Sequence, residues 1–417
     1  MNPDLDDNLG TGRLKGAFGR TFQSLKHRNF RLYFIGQTIS NTGNWLTTIA
    51  LALLTLKITG SGLDVGLMAA CQFGPLLFLS PLGGAIADRA DKRRLLFVTQ
   101  TLEMAQSFGL AALAFMPHPP LLGLYALALA GGTFLSLDNP LRRTLVNEMV
   151  PAKDVPNAIV LYSTIVNMSR LLGPALGGLL ITTVGYGWAF TADGLSYSAV
   201  LLCLHLMNPS QLRREPPAPK AKGQVRAGLR YVRSTPALWV SFVMLAAIGT
   251  LSYNFNVTLP LYVTHSLHKS SGVFTVLYSL FSAGAVISAL VIAHRNLVSI
   301  KHIVAGAAAL GASMLLLGLA PNVIVAAPIA FLVGMAGILY TTATTTLAQV
   351  QAAPQMRGRV LALQTALLAG TTPIGGPILG VIADATSARI PIILGGLVCV
   401  AAAAFGYSAA GLSELKK

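Results

Sequence analysis

The sequence predicts an all-α membrane protein with twelve transmembrane helices in two pseudo-symmetric six-helix bundles, on three observations. The 417 residues are 53% hydrophobic and 11% charged, with a mean hydropathy of +0.64, too apolar for a soluble chain of this length. Twelve apolar stretches approach or exceed the about 20 residues that a crossing needs. The connecting loops carry lysine and arginine mostly on one side, which is the pattern that orients a membrane protein.

The stretches are 31–56, 63–87, 93–116, 121–146, 156–183, 187–207, 237–264, 271–293, 299–319, 322–346, 358–383 and 389–411. An even number puts both termini on the same side. The turn Gly83 to Arg94, GGAIADRADKRR, says which side: Arg89, Lys92, Arg93 and Arg94 outweigh Asp88 and Asp91, and basic loops stay cytoplasmic. All lysines and arginines except Lys57, Lys269, Arg389 and the intramembrane Arg170 then fall at cytoplasmic ends or loops. The net charge of +16 is thereby explained by attraction to anionic lipid headgroups, and no nucleic-acid partner is implied.

Residues 1–30 form a cytoplasmic segment with no cleavable signal peptide. In it Leu14, Phe18, Phe22 and Leu25 recur at helical spacing, as in a helix lying on the inner leaflet. Spans 31–207 make the first bundle and 236–412 the second, with a tail at 413–417. Between the bundles lies a linker, 208–235, whose run NPSQLRREPPAPKAK no membrane helix tolerates. Its second part places Val225, Leu229 and Val232 on one stripe and Arg226, Arg230 and Arg233 on another, predicting a further surface helix. The halves repeat each other at a constant offset: Pro151, Gly173-Pro174 and Gly177 return as Pro354, Gly376-Pro377 and Gly380. Such repeats are common in transporters, where a site between the halves is reached by rocking one against the other.

Polar residues inside spans indicate where water or substrate goes. In the first span Gln37, Asn41, Asn44 and Thr48 share one helix face, expected to line a central cavity. Thr250, Asn254 and Thr258 do the same in the seventh, with Tyr253 and Phe255 as aromatic contacts. The threonines of the tenth span, among them Thr341 and Thr345, serve equally well for helix packing. Ionisable residues within a membrane are costly and functional by default. Asp138, Arg170, Glu103 and Asp193 are the proton-coupling candidates, with Asp384 at an outer end. Asp138 is expected to pair with Arg170; Arg142, four residues on, is the local alternative. Asp88, Arg93, Arg142 and Glu148 are expected to form a cytoplasmic charge cluster that latches the bundles. The run Gly173-Pro174-x-x-Gly177-Gly178 allows close helix approach with a bend.

Gly84, Asp88, Arg89 and Arg93 fall on a pattern that resembles the signature loop of the major facilitator superfamily, although Asp91 and Lys92 stand where that family has glycine and arginine. The stretches 138–151, 156–178 and 356–384 resemble its bacterial drug/proton antiporter subgroup, which includes enterobactin-exporter-like and macrolide-efflux-like proteins. The resemblance implies the major facilitator fold, and export of an amphipathic or siderophore-like small molecule across a bacterial inner membrane in exchange for protons. It also implies that the signature loop contacts the fourth span and the start of the eleventh. Charged residues common in relatives late in the first span are missing from NWLTTIALAL, 44–53, so coupling has to rest elsewhere. A lipid or lysolipid flippase, or a sensor that keeps the fold without turnover, is the alternative. A monomer is expected. No histidine or cysteine spacing implies a metal, and no phosphate loop implies a nucleotide, so no cofactor and no enzymatic reaction are expected.

Overall fold

The computed structural model describes residues 22–87, 90–213, 224–292 and 299–414. It is built of helices and connecting turns, with no strand among the described residues. In chain order they are α1 (Arg28–Thr59), α2 (Gly62–Ala87), α3 (Lys92–Ala114), α4 (Leu121–Met149), α5 (Val155–Thr183), α6 (Tyr186–Leu206), α7 (Gln224–Ser234), α8 (Pro236–Leu251), α9 (Phe255–Leu261), α10 (Ser271–Ile292), α11 (Ile300–Leu319), α12 (Val323–Gln351), α13 (Arg357–Gly370), α14 (Thr372–Ala385) and α15 (Ile390–Glu414). The N-terminal helix expected around Leu14 and Phe18, the linker residues 214–223 and the tail 415–417 lie outside the described residues.

Among the described residues ten stretches are long and apolar enough to cross a membrane: α2, α4, α5, α6, α8 with α9, α10, α11, α12, α13 with α14, and α15. The remaining long helices, α1 and α3, have the length but carry the polar residues of the interior. Local chemistry sets the ends. Gly60, at φ 66°, takes the left-handed position that closes α1, and its N–H bonds the Leu56 carbonyl at 2.8 Å. The Asn322 side chain caps α12 by accepting from Val325 N at 3.1 Å.

Two spans read as continuous are broken. The seventh pauses at Ser252–Asn254 and ends in a π-helical turn, Tyr262–Ser266; the eleventh breaks at Thr371, ahead of Pro373. At the first break Asn254 Nδ2 donates to Thr250 O at 2.7 Å, taking a carbonyl that the helix would use. Gly375 of α14 packs against that carbonyl. Broken helices at membrane depth are tolerated where protein re-satisfies the backbone.

The helices form two groups. In the first, α1 packs on α5 and α6, α2 on α4, and α3 on α4 and α6; in the second, α10 packs on α12, α11 on α12 and α15, and α15 on α8. The groups meet along α2 with α14 and α5 with α10. Their close approaches sit toward the end carrying Gly60 and Gly185. Toward the other end these approaches stop: Gly84, on the face of α2 that carries Gly62 and Gly66, and Gly358 of α13 face open space. The molecule is closed at the end that the sequence topology places outside and open at the other.

Helix α7 lies against the inner ends of α12 and α13. Tyr231 Oη accepts from Ala353 N at 3.0 Å, and Val232 is buried with Ala352 and Val360. The stripe expected to face lipid is therefore divided, since Val232 turns into the protein while Leu229 is exposed.

Candidate functional site

Arg142 of α4 is the centre of a charge network inside the first group. Its guanidinium pairs with Asp138 through Nε, reaches Glu103 of α3 at 3.3 Å, and donates to Gln37 Oε1 at 2.8 Å and Asn41 Oδ1 at 3.0 Å on α1. Asp138 also accepts from Thr99 Oγ1 and Gln100 Nε2, each at 2.9 Å. Gln100 extends the network to Glu103 at 2.9 Å. Arg142, Glu103 and Asp138 are 2%, 2% and 0% exposed, so the charges meet away from solvent and lipid, with Asn41 at the half-buried edge. The four-residue spacing on α4 brings carboxylate and guanidinium together locally. A guanidinium has five N–H donors to satisfy, and the amides of α1 supply acceptors for it.

Asp193 of α6 lies in the same interior with a different set of partners. It accepts from Thr47 Oγ1 at 2.7 Å, Ser107 Oγ at 2.8 Å and Ser196 Oγ at 3.4 Å, all hydroxyls. Glu103 and Asp193 both border one small polar cavity with Asn44, Thr47, Gln72, Gln106 and Tyr197. Two buried carboxyl groups thus share one guanidinium, and a third lies close by on hydroxyls. If all three ionised, the region would carry net negative charge, and uncompensated buried charge costs several kcal/mol per ion. The arrangement suits groups that hold and release protons.

The structure corrects several placements. The expected pair of Asp138 with Arg170 does not form: Asp138 is on Arg142, and Arg170 lies over the Trp45 ring, 5.2 Å from its centroid. Arg142 belongs to the buried network and not to a cytoplasmic latch. Glu148 pairs with Lys92, while Arg93 bonds the Leu204 carbonyl at 2.7 Å and the His205 carbonyl at 3.2 Å. Lys92 and Glu148 both lie in the first group, so this pair does not join the bundles. Asp88 and Arg89 lie outside the described residues. Gln37, Asn41, Asn44 and Thr48 turn into the first group instead of a central cavity. Asn44 bonds Tyr197 Oη at 3.4 Å and Thr48 accepts from Gln72 at 3.0 Å. The cause is the packing of α5 and α6 over α1, together with the need of Arg142 for acceptors.

Two glycine seams join the groups or brace their contact. Gly62 and Gly66 of α2 face Gly376, Pro377 and Gly380 of α14; a Cβ on Gly62 would stand 2.7 Å from the Gly380 carbonyl and one on Gly66 2.5 Å from that of Gly376. Gly173 lies against Thr42 and Trp45 of α1, Gly177 against Leu46, Pro174 is buried beside them, and Gly178 faces Thr275 of α10. At the outer end Asp384 of α14 accepts from Gly62 N at 2.6 Å, Leu63 N at 2.9 Å and Ser61 Oγ at 3.0 Å. A carboxylate from one group thus caps the N-terminus of a helix in the other, where the helix dipole favours negative charge.

The second group contributes aromatic surface. The Phe255 ring lies 4.8 Å from Phe281 and meets Tyr253 edge-on at 5.9 Å, and Tyr278 lies 5.6 Å from Phe281. Tyr253 donates to the Gly337 carbonyl, and Tyr278 to Asn256 Oδ1 at 2.9 Å. Thr250 and Thr258 bond back to their own helices at Ala246 O and Asn254 O. Sequence reasoning missed Thr47, Thr99, Gln100, Ser107 and Tyr197 in the network, and Gly62 and Gly66 in the seam. The α3 set recurs at helical spacing around Glu103, and the two glycines stand four apart, so both signals were present.

A helical chain of many crossings, in two groups closed at one end around a polar interior, is a multi-pass membrane transporter of the major facilitator kind. It belongs to the transmembrane secretion effector family, which it matches over residues 19–416. It is 25% identical over 362 residues to the enterobactin exporter EntS of Shigella boydii, covering 85% of each chain. With the staphyloferrin A transporter of Staphylococcus aureus it shares 24% identity over 264 residues, 63% of this chain and 66% of the relative. Among solved structures, a bacterial homologue of the human lysosomal transporter Spinster, in an inward-facing and unoccupied conformation, has a TM-score of 0.74 at 15% identity, covering 91% of this chain and 97% of that one. A POT family transporter in complex with a thioalcohol conjugated peptide also has a TM-score of 0.74, at 14% identity, covering 92% and 97%. These two likenesses are of fold alone.

Proposed function

We propose that the chain exports an amphipathic small molecule, drug-like or siderophore-like, across a bacterial inner membrane by alternating access in exchange for protons. In this reading it works as a monomer with twelve crossings and both termini in the cytoplasm. Two curated relatives are named for siderophore transport, which supports the cargo class. The observation that carries proton coupling is that Asp138 and Glu103 share Arg142 while Asp193, on the same polar cavity as Glu103, is held by hydroxyls. Asp138, held by Nε of Arg142, serves as the fixed counter-ion. Glu103 and Asp193, on a common polar cavity, are the groups that load and release protons. The seams of α2 with α14 and of α5 with α10 are the surfaces on which the bundles rock, and Asp384 holds the outer end shut between turnovers.

The test is flux from proteoliposomes under an imposed proton gradient, with ethidium and carboxyfluorescein as separate probes, in the parent, Asp193→Asn and Glu103→Gln. Gradient-driven flux in the parent that is lost in either carboxamide variant, with the fold retained, is the expected result. Flux that ignores the gradient in the parent contradicts proton coupling and favours a flippase; flux lost only on changing Asp138 moves the proton site there.

A further inference from the structure

Ser163, Asn167 and Arg170 are spaced by four and three residues, share one face of α5, and are all exposed. The opposite face exposes Met168, Leu172, Leu176 and Leu179, an apolar stripe suited to lipid. The polar stripe therefore borders the gap between the groups. Arg170 sits at its upper end, at the level where the groups meet, since Ser282 Oγ of α10 donates to the Arg170 carbonyl at 3.4 Å. Its side chain is exposed, with the Trp45 ring centroid 5.2 Å from the guanidinium and Tyr278 four residues before Ser282 on the facing α10.

Among the described residues Arg170 forms no ion pair. Glu103, Asp138, Glu148, Asp154 and Asp193 are buried, and Asp64, Asp91 and Asp384 lie at or beside helix ends. The gap thus presents one deep cation and, among the described residues, no carboxylate to offset it. A lone charge at this depth is costly, and guanidinium stacked on indole is arranged to receive an anion from its free edge. Exposed Arg31, Arg143, Lys153 and Arg357 at the inner ends would draw an anion toward the opening. A cationic cargo would be repelled along the same route.

We infer that Arg170 is the anchor of a ligand site for an aromatic anion, whose acidic group meets the guanidinium and whose ring packs against Trp45 and the Tyr253–Phe255–Tyr278 cluster of the opposite bundle. The inference rests on the transporter reading for its purpose but is tested apart from it, by binding. The full chain in detergent is titrated calorimetrically with three probes of one shape: 2-naphthoate, 2-naphthamide and 2-naphthyltrimethylammonium. The parent is expected to bind the carboxylate about tenfold or more tighter than the amide and to bind the ammonium least. Arg170→Gln should remove the carboxylate's advantage while leaving amide binding in place, and Arg170→Lys should keep part of it.

A parent that binds none of the three, that prefers the ammonium, or whose carboxylate preference survives Arg170→Gln overturns the inference. The parent's own ranking decides the matter even if Arg170→Gln fails to fold. Gradient-driven ethidium flux without naphthoate preference would sink this site and leave the transport reading standing. Arg170-dependent naphthoate binding without gradient-driven flux of any probe would do the reverse.

Discussion

Arg142 has more to lose than any other side chain in the first bundle. It is buried among Asp138, Glu103, Gln37 and Asn41, so Arg142→Gln leaves two carboxylates without their cation. Breaking a buried pair from one side costs about 3–5 kcal/mol, and the variant should show a markedly lower melting temperature in detergent. Asp193→Asn is the contrasting change. Its carboxyl is held by three hydroxyls, and an amide can still accept from Thr47 and Ser107 through its oxygen and donate to Ser196 Oγ through its nitrogen, so the fold should survive while proton-driven flux disappears. Equal melting losses in the two variants would show that Asp193 is a structural group. The local pair of Asp138 with Arg142 was legible from four-residue spacing on a helix. The fate of Arg170 was not, because an intramembrane charge chooses among helices brought together by tertiary packing, and α1 placed Trp45 beneath it.

The α2–α14 seam sets how the bundles meet. Without a hydrophobic force between helices in lipid, close approach through small residues supplies the attraction. A side chain on Gly380 meets the Gly62 backbone, so Gly380→Val should force the outer end apart. Asp384→Ala removes a cap, worth roughly 0.5–2 kcal/mol, from the closed outer end alone. As about 1.4 kcal/mol is a tenfold change in an equilibrium, cysteines placed near the outer mouth should label severalfold faster in this variant. Unchanged labelling would mean that Asp384 merely finishes a helix. Lys92→Gln should behave otherwise, because its partner Glu148 is in the same bundle: the variant loses thermal stability and keeps the parent's labelling ratio. The Gly-Pro repeat was readable as a packing motif; its facing glycines on α2 carried a four-residue spacing, but nothing in the sequence tied them to α14. The breaks at Asn254 and Thr371 were hidden too, since side-chain bonds to a neighbouring carbonyl leave no periodic trace.

At the scale of the molecule, the apolar composition, the long spans and the duplicated motifs made the fold legible from sequence, because each follows from the solvent that a bilayer provides. The direction in which α1 turns its amides was not legible. A polar face on a helix suits a water-filled cavity or a buried network equally, and here Arg142 decided for the network. In the proposed division of labour, protons are handled inside the first bundle, ligand is met in the gap between bundles, and opening is governed by the seams. Its central claim is that proton occupancy of the first bundle sets which end of the molecule is open. The most direct measurement is pulsed electron spin resonance on a cysteine-free background in lipid discs, with one label pair at His118 and Pro321 for the outer end and another at Lys153 and Pro354 for the inner end. Lowering the pH from about 8 to about 5, across the range in which a buried carboxyl can change occupancy, should lengthen one distance and shorten the other in the parent, and should leave both unmoved in a variant carrying Glu103→Gln with Asp193→Asn. Distances in the parent that do not respond to pH, or an equal response in the double variant, would contradict the account.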